Sequence, residues 1–152
     1  WVIKINHGNP QTQFDLAMKL IQGTWLPKNI ETARFWLKNA ARKKHVEANY
    51  VLGKAYLDGS LNEKDPSMGR WKLFMAAEKN HADAQLILGQ HYADNLHEDR
   101  YGIKALYWLW RAEKSGKVVN PKLIETVKAS MTEQDKVFAK ITIESGKTPF
   151  PP

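Results

Sequence analysis

Histidine and aspartate side chains crowd one short stretch of the chain, and they are the first candidates for chemistry. The cluster consists of His91, Asp94, His97 and Asp99. His91 and Asp94 would lie one turn apart on a helix, and imidazole and carboxylate groups are zinc ligands. No HxxxH pair or second histidine-rich segment completes the set. We therefore interpret the cluster as a solvated helix end and expect no metal site and no cofactor.

Carboxylate pairs and nucleophile motifs are equally weak as evidence for catalysis. Glu98 and Asp99 are neighbours in a predicted loop, and Asp65 precedes Pro66, where its side chain can cap a helix. The sequence has no GxSxG nucleophile elbow and no glycine-rich phosphate loop. It also has no cysteine, which excludes thiol catalysis, disulfides and cysteine-based zinc sites. We predict that the protein is not an enzyme and has no catalytic residue.

A repeat of 36 residues organises these side chains. The recurring pairs are Ala40 and Ala76, Ala41 and Ala77, His45 and His81, Ala48 and Ala84, Leu52 and Leu88, Gly53 and Gly89, and Tyr56 and Tyr92. A second step of 36 residues relates Phe35 and Trp71 to Tyr107. A constant period of this length is typical of a solenoid of stacked supersecondary units. His45 and His81 fall between predicted helices, which favours a structural role in a turn over catalysis.

Helix caps and apolar spacing predict that each unit is a helical hairpin. The predicted helices cover residues 11–22, 30–44, 46–58, 66–80, 82–94, 100–115, 121–130 and 133–145. The predicted N-terminal caps are Asn9, Asn29, Asp65, Asn120 and Thr132, the last in a capping box with Asp135. Gly59 and Gly116 are predicted left-handed stops, and Gly53 and Gly89 would let stacked helices approach closely.

The fold predicted from these elements is all-α, an α/α solenoid with a divergent C-terminal capping hairpin. We expect a single domain over residues 1–152, with hairpin repeats at 10–116, the capping hairpin at 117–145 and an extended tail at 146–152. The first eight residues are predicted to form a strand or an extended lead-in, with Trp1 packed on the first helix. A stack must cover its last apolar face, so the capping hairpin should present a polar surface.

The repeat reads A-x-x-W-L-x-x-A-A and then A-x-x-x-L-G-x-x-Y-x-x-G, and it resembles the Sel1-like repeat family, whose fold is similar to that of tetratricopeptide repeats. The resemblance covers roughly residues 12–116, most clearly at Trp36, Ala40, Ala41, Ala48, Leu52, Gly53, Tyr56, Gly59, Asp65, Ala84, Leu88, Gly89, Tyr92, Ala105, Trp108 and Ala112. Three residues depart from the pattern: Lys72 replaces the repeated tryptophan, Asn95 the loop glycine, and Tyr101 the position of Asp65. The hairpin-stapling cysteines of many bacterial members are also absent.

The resemblance implies a non-enzymatic interaction scaffold, commonly bacterial and frequently exported. Members of the family act as adaptors, signalling regulators, virulence-associated proteins and immunity proteins. We therefore expect a periplasmic or otherwise exported protein, with a cytoplasmic location left open, and we expect its partner to be another protein or a peptide. The sequence sets neither the oligomeric state nor the identity of that partner.

One side of each hairpin's first helix is the predicted partner-binding face. A rotation of about 100° per residue places Tyr50 and Lys54 opposite the repeated packing positions Ala48 and Leu52. The period equivalents of Tyr50 and Lys54 are Phe14, Met18, Leu86 and Gln90, and the acidic residues Asp83 and Asp94 flank them. The predicted partner-binding residues are therefore Phe14, Met18, Tyr50, Lys54, Asp83, Leu86, Gln90 and Asp94. In hairpin solenoids this side lines the concave surface, and an aromatic and aliphatic row with polar edges suits a protein interface. The same row can equally be additional hairpin core.

Positive charge gives a second hypothesis, in which the protein binds an anionic polymer. The chain carries a net charge of +7 and has a pI of about 9.5. The candidate contacts are Lys38, Arg42, Lys43 and Lys44. Nucleic acid is disfavoured because the aromatic residues at 35, 36, 71, 107 and 108 fall where a solenoid needs core. No apolar run approaches the roughly 20 residues of a transmembrane helix.

Overall fold

The computed structural model describes residues 8–148, which form eight α-helices and no β-strand. The helices are α1 (Pro10–Gln22), α2 (Ile30–Arg42), α3 (Val46–Asp58), α4 (Pro66–Glu78), α5 (Ala82–Asp94), α6 (Tyr101–Lys114), α7 (Pro121–Ala129) and α8 (Glu133–Ser145). Each predicted helix is present, so the all-α prediction is confirmed. The expected lead-in at residues 1–7, the contact of Trp1 and the tail after Thr148 lie outside the described residues.

Side-chain caps begin the helices at the predicted positions. The side-chain oxygens of Asn9, Asn29, Asp65 and Asn120 each accept a hydrogen bond from a backbone N–H in the first turn. Thr132 and Asp135 form the complete capping box at the start of α8. Gly59 and Gly116 have φ values of +79° and +88°, as expected of left-handed stops. The helix boundaries therefore follow from local sequence.

The chain divides between Ala76 and Ala77 into two compact units. In the first unit α1 packs on α2 and α2 packs on α3, around buried alanine and leucine side chains such as Ala40 and Leu52. A Cβ on Gly53 would lie 2.8 Å from the backbone nitrogen of Leu73. That glycine is required because α3 and the backbone of α4 approach too closely for any side chain.

The second unit is built around α6, which packs against α5, α7 and α8. Gly89 repeats the role of Gly53, since a Cβ there would lie 3.0 Å from the backbone nitrogen of Leu109. Trp108 and Leu109 are fully buried in this unit. The recurrence of glycine 36 residues apart is therefore explained by close helix packing inside each unit.

The prediction that the repeated aromatic residues are core is wrong at two positions. Phe35 is 57% exposed and Trp71 is 44% exposed, whereas their period equivalent Tyr107 is 1% exposed. Trp108 is buried as predicted, and Trp36 is half-buried. The period fixes which face of a helix a residue occupies, but it does not fix whether another part of the chain covers that face.

The expectation of a polar surface on the closing hairpin is also wrong. Val137, Phe138 and Ile141 of α8 are all substantially exposed. The side of α8 that is buried instead carries Ala139 and Thr142. Because these two small residues satisfy the packing of the helix, its larger apolar residues face outward.

Candidate partner-binding faces

In the first unit, the four predicted partner-binding residues lie on α1 and α3 outside the fully buried core. Phe14 and Met18 on α1 and Tyr50 on α3 are half-buried, and Lys54 on α3 is exposed. Phe14 also packs against the core and stacks on His45, with ring centroids 4.9 Å apart. Phe14 thus combines the two interpretations that the sequence leaves open, because it is partly hairpin core and partly surface.

His45 fixes the start of α3 next to this face. Its Nδ1 accepts a hydrogen bond from the backbone N–H of Ala48 at 3.2 Å, so Nε2 carries the proton of the neutral ring and can donate to Gln11 Oε1 at 3.0 Å. Burial lowers the pKa of His45 below its ordinary 6.5, outweighing the opposing charges of Glu47 and Asp15. The neutral ring is therefore the form that caps the helix.

His81 repeats this cap in the second unit, where its Nδ1 accepts from the backbone N–H of Ala84 at 3.1 Å. The backbone angles at His45 and His81 are also closely similar. The prediction of a structural turn role for both histidines is confirmed, and it explains why the residue type recurs at this position.

In the second unit, the four predicted residues lie along α5. Asp83 and Leu86 are half-buried, and Gln90 and Asp94 are exposed. Asp83 already forms an ion pair with Lys117, with 2.5 Å between its Oδ1 and the lysine Nζ. The first turn of α5 is therefore electrostatically compensated, whereas the carboxylate of Asp94 at its last turn is exposed.

A buried amide side chain recurs on α1, α3 and α5, and it was not predicted from the sequence. Gln13, Asn49 and Gln85 are spaced 36 residues apart and are at most 2% exposed. The side-chain amide of Asn49 donates to the carbonyl of Ala41, and that of Gln85 donates to the carbonyl of Ala77. Each bond ties a first helix to the end of the helix before it. The 36-residue recurrence of an amide side chain was the signal that could have revealed it.

A cavity of about 500 Å³ lies in the second unit beside α6. Arg111 lines it and donates to Glu78 Oε1 at 2.9 Å and to Asn80 Oδ1 at 2.7 Å, while its guanidinium stacks over Trp108. Thr148 closes one edge and donates its hydroxyl to Glu78 Oε1 at 2.8 Å. Arg111 and Glu78 are thus engaged with each other in a structural network within this cavity.

The cations of the polyanion hypothesis are partly occupied within the first unit. Lys38 forms an ion pair with Glu63 at 2.9 Å and lies over the ring of Tyr56. The bond to Glu63 raises the pKa of Lys38 above its ordinary value, and burial opposes it. Arg42 donates to Asn39 on its own helix. The four candidate cations, Lys38, Arg42, Lys43 and Lys44, therefore offer less positive charge to an anionic polymer than the sequence implies.

Two further observations concern residues 8–148, the part of the chain that the structure describes. No three histidine, aspartate or glutamate side chains in this range are grouped so that they could hold a metal ion. Within the same part of the chain, no helix has the length and apolar character needed to cross a membrane.

Two solved structures are similar in fold to this chain. One is a protective antigen present in uropathogenic Escherichia coli strains, described as displaying an SLR fold; the TM-score is 0.66 at 26% identity, over 72% of this chain and 24% of that one. The other is a Sel1 repeat protein from Oxalobacter formigenes, with a TM-score of 0.66 at 28% identity, over 72% of this chain and 44% of that one. The chain thus spans less than half the length of either neighbour. No family model and no curated protein matches the sequence.

Proposed function

We propose that this chain, a Sel1-like repeat protein, binds a partner protein or peptide through the first helices of its hairpins, which are α1, α3 and α5. Its fold generally serves as a non-enzymatic scaffold for protein interactions. The observation that carries the proposal is the contrast in burial along those helices. None of the eight predicted binding residues is fully buried, whereas the repeated packing residues on these helices are at most 1% exposed: Ala17 on α1, Ala48 and Leu52 on α3, and Ala84 and Leu88 on α5.

In the first unit, Tyr50 is the proposed anchor of the interface. A half-buried tyrosine on a helix is held in place by its neighbours and loses little conformational freedom when a partner binds. Lys54 follows one turn later and is exposed, so it supplies the polar edge that interfaces normally have.

In the second unit, Leu86 is the proposed apolar contact on α5. It is half-buried and is followed along the helix by the exposed side chains of Gln90 and Asp94. Lys54 and Asp94 have opposite charges, so we expect the first-unit face to favour acidic groups on a partner and the α5 face to favour basic groups.

The biological role that we favour is partner capture, as an adaptor or an immunity-type inhibitor in the bacterial envelope. Support for the bacterial setting comes from the two similar structures, which are both bacterial proteins. The second hypothesis, binding of an anionic polymer through Lys38 and its neighbours, is less well supported because Glu63 already neutralises that lysine.

The test is affinity capture from the source organism, followed by measured dissociation constants for the captured partner. We expect Tyr50→Ala and Leu86→Asp each to weaken binding at least about tenfold, a loss of about 1.4 kcal/mol. Matched controls are Trp25→Ala in the first unit and Ile141→Asp in the second, both exposed apolar residues away from the proposed faces. If the controls weaken binding as much as the face variants, the assignment to the first helices is wrong.

A further inference from the structure

Phe35, Trp71 and Tyr107 occupy the same position of the repeat. The residue at this position is buried in the second unit, at Tyr107, and exposed in the first unit, at Phe35 and Trp71. In the second unit, the Tyr107 hydroxyl lies 3.5 Å from the carbonyl oxygen of Gly146 and 3.3 Å from Thr148 Oγ1. The chain therefore covers its third aromatic residue with its own non-helical segment after α8, and Tyr107 is 1% exposed. Phe35 and Trp71, in the first unit, stay 57% and 44% exposed.

Two lysines accompany the exposed rings. Lys38 lies one turn after Phe35 on α2, and Lys72 follows Trp71 on α4. Burial lowers the pKa of Lys72, and the charge of Lys38 lowers it further, so Lys72 lies within electrostatic range of a second cation. We call Phe35, Lys38, Trp71 and Lys72 the outer patch; it lies on second helices, whereas the proposed binding faces lie on first helices.

The two lysines differ in what already neutralises them. Lys38 has Glu63 at 2.9 Å. Lys72 forms no hydrogen bond or ion pair with the described residues 8–148, and it stands where the repeat has tryptophan at 36 and 108. A half-buried ammonium next to a second cation is unfavourable in the unbound protein, and an incoming anionic group would relieve that repulsion.

We propose that the outer patch is a second docking site, which binds a short acidic peptide segment of a partner protein. An apolar side chain of the segment packs against Phe35 and Trp71, and a carboxylate binds the Lys72 ammonium. The internal precedent is the segment from Gly146 to Thr148, which shows that this helix position accepts non-helical polypeptide.

The charge distribution favours a peptide over a nucleic acid. A phosphate backbone carries a charge at every nucleotide and is bound by tracks of cations. Here the carboxylate of Glu63 lies against Lys38 and would repel such a chain, so the patch offers one uncompensated cation beside two exposed rings. A single carboxylate flanked by apolar side chains matches that arrangement.

The experiment is selection from a displayed octapeptide library on the folded protein, with counter-selection on the Trp71→Ala/Lys72→Glu double variant. We expect peptides that combine Asp or Glu with a large apolar residue. For a labelled selected peptide, Trp71→Ala and Lys72→Glu should each weaken binding at least about tenfold, and binding should weaken as salt is raised. Lys72→Met separates charge from packing, since it keeps an unbranched stem one atom shorter, removes the ammonium group and should lose the same acidic peptides.

The matched controls lie on α8, where Phe138→Ala and Lys140→Glu should leave peptide binding unchanged. Tyr50→Ala should also leave it unchanged, which distinguishes failure of this site from failure of the proposed first-helix face. The inference is overturned if the selection yields no acidic preference, if the α8 controls lose binding equally, or if labelled oligothymidylate binds more tightly than the selected peptides and depends on Lys72. Circular dichroism and thermal melting of every variant confirm that the fold is retained.

Discussion

Ser115 donates its hydroxyl hydrogen to the buried Oε1 of Gln85 at 2.8 Å, joining the turn after α6 to the first turn of α5. Gln85 uses its amide hydrogen on the carbonyl of Ala77 at the same time. A side chain that is 0% exposed is therefore satisfied at both ends by two different segments of the second unit. This arrangement holds α5, and with it the proposed contact Leu86, in a fixed orientation.

Removing that hydroxyl should destabilise the protein. We expect Ser115→Ala to lower the free energy of unfolding by about 1 kcal/mol, because the Gln85 oxygen loses its donor inside the protein. Urea unfolding followed by circular dichroism measures the change. Ser60→Ala, at an exposed serine in a loop of the first unit, serves as the matched control and should change stability by less than about 0.5 kcal/mol. Equal effects of the two substitutions would contradict the role of Ser115.

Acid should weaken the first unit through His45. The pKa of His45 is lowered in the folded protein, so the unfolded state binds the proton more readily below pH 6.5. The stability that the neutral ring contributes is complete above 6.5 and is lost as pH falls from there toward the lowered folded pKa. His45→Asn keeps a side chain able to cap α3 but cannot titrate. Urea midpoints at pH 5 and pH 7.5 should show a smaller acid loss in this variant than in the wild type.

The proposed role of His45 would be contradicted if His45→Asn and the wild type lost the same stability on acidification. The comparison between them is needed because acid changes the stability of a protein through several groups at once. His97→Asn, at an exposed residue that does not cap a helix, is the matched control for the substitution and should leave stability at pH 7.5 unchanged.

Close helix packing predicts an unusual response to alanine at Gly89. Alanine normally stabilises a helix interior relative to glycine by about 1 kcal/mol. A Cβ on Gly89, however, would lie 3.0 Å from the backbone nitrogen of Leu109, which cannot move without shifting α6. We expect Gly89→Ala to destabilise the protein by about 1–3 kcal/mol, measured by thermal or urea unfolding.

Gly102 gives the matched control for that substitution. A Cβ there would lie 2.8 Å from the Cγ of Met131, and the three nearest atoms outside the helix backbone all belong to that flexible side chain. Methionine is flexible and can repack, so Gly102→Ala should cost clearly less than Gly89→Ala. The packing explanation fails if the order of the two effects is reversed.

The helices could be predicted because their signals are local. Asn29 and Thr132 cap the helices that follow them, and the recurrence of Gly53 as Gly89 located the close contacts. Rotation around the helix also placed Tyr50 and Lys54 outside the buried core. Each of these inferences needs only the geometry of one helix or the constancy of the repeat.

Features that depend on distant parts of the chain could not be predicted in the same way. Phe35 and Tyr107 share a register, yet only Tyr107 is covered, because the covering residues come from after α8. The ion pair of Asp83 with Lys117 likewise joins positions far apart in sequence, so the sequence alone left Asp83 as an available acidic group. The position in the repeat determines which face of its helix a residue occupies, whereas contacts with distant segments determine how exposed its side chain is.

Lys72 should limit the stability of the first unit even in the absence of a partner. Its ammonium is partly desolvated and is repelled by Lys38, so its charge is disfavoured in the folded state. We expect Lys72→Met to raise the free energy of unfolding by less than about 1 kcal/mol, because solvent screens the charge of a partly exposed lysine and the methionine buries a similar stem without that charge. Lys64→Met, at an exposed loop lysine, is the control and should have little effect. Raising the pH toward the lowered pKa of Lys72 should reduce the difference in stability between Lys72→Met and the wild type, because deprotonation removes the same unfavourable charge. A difference in stability that does not change with pH would assign the gain to packing alone.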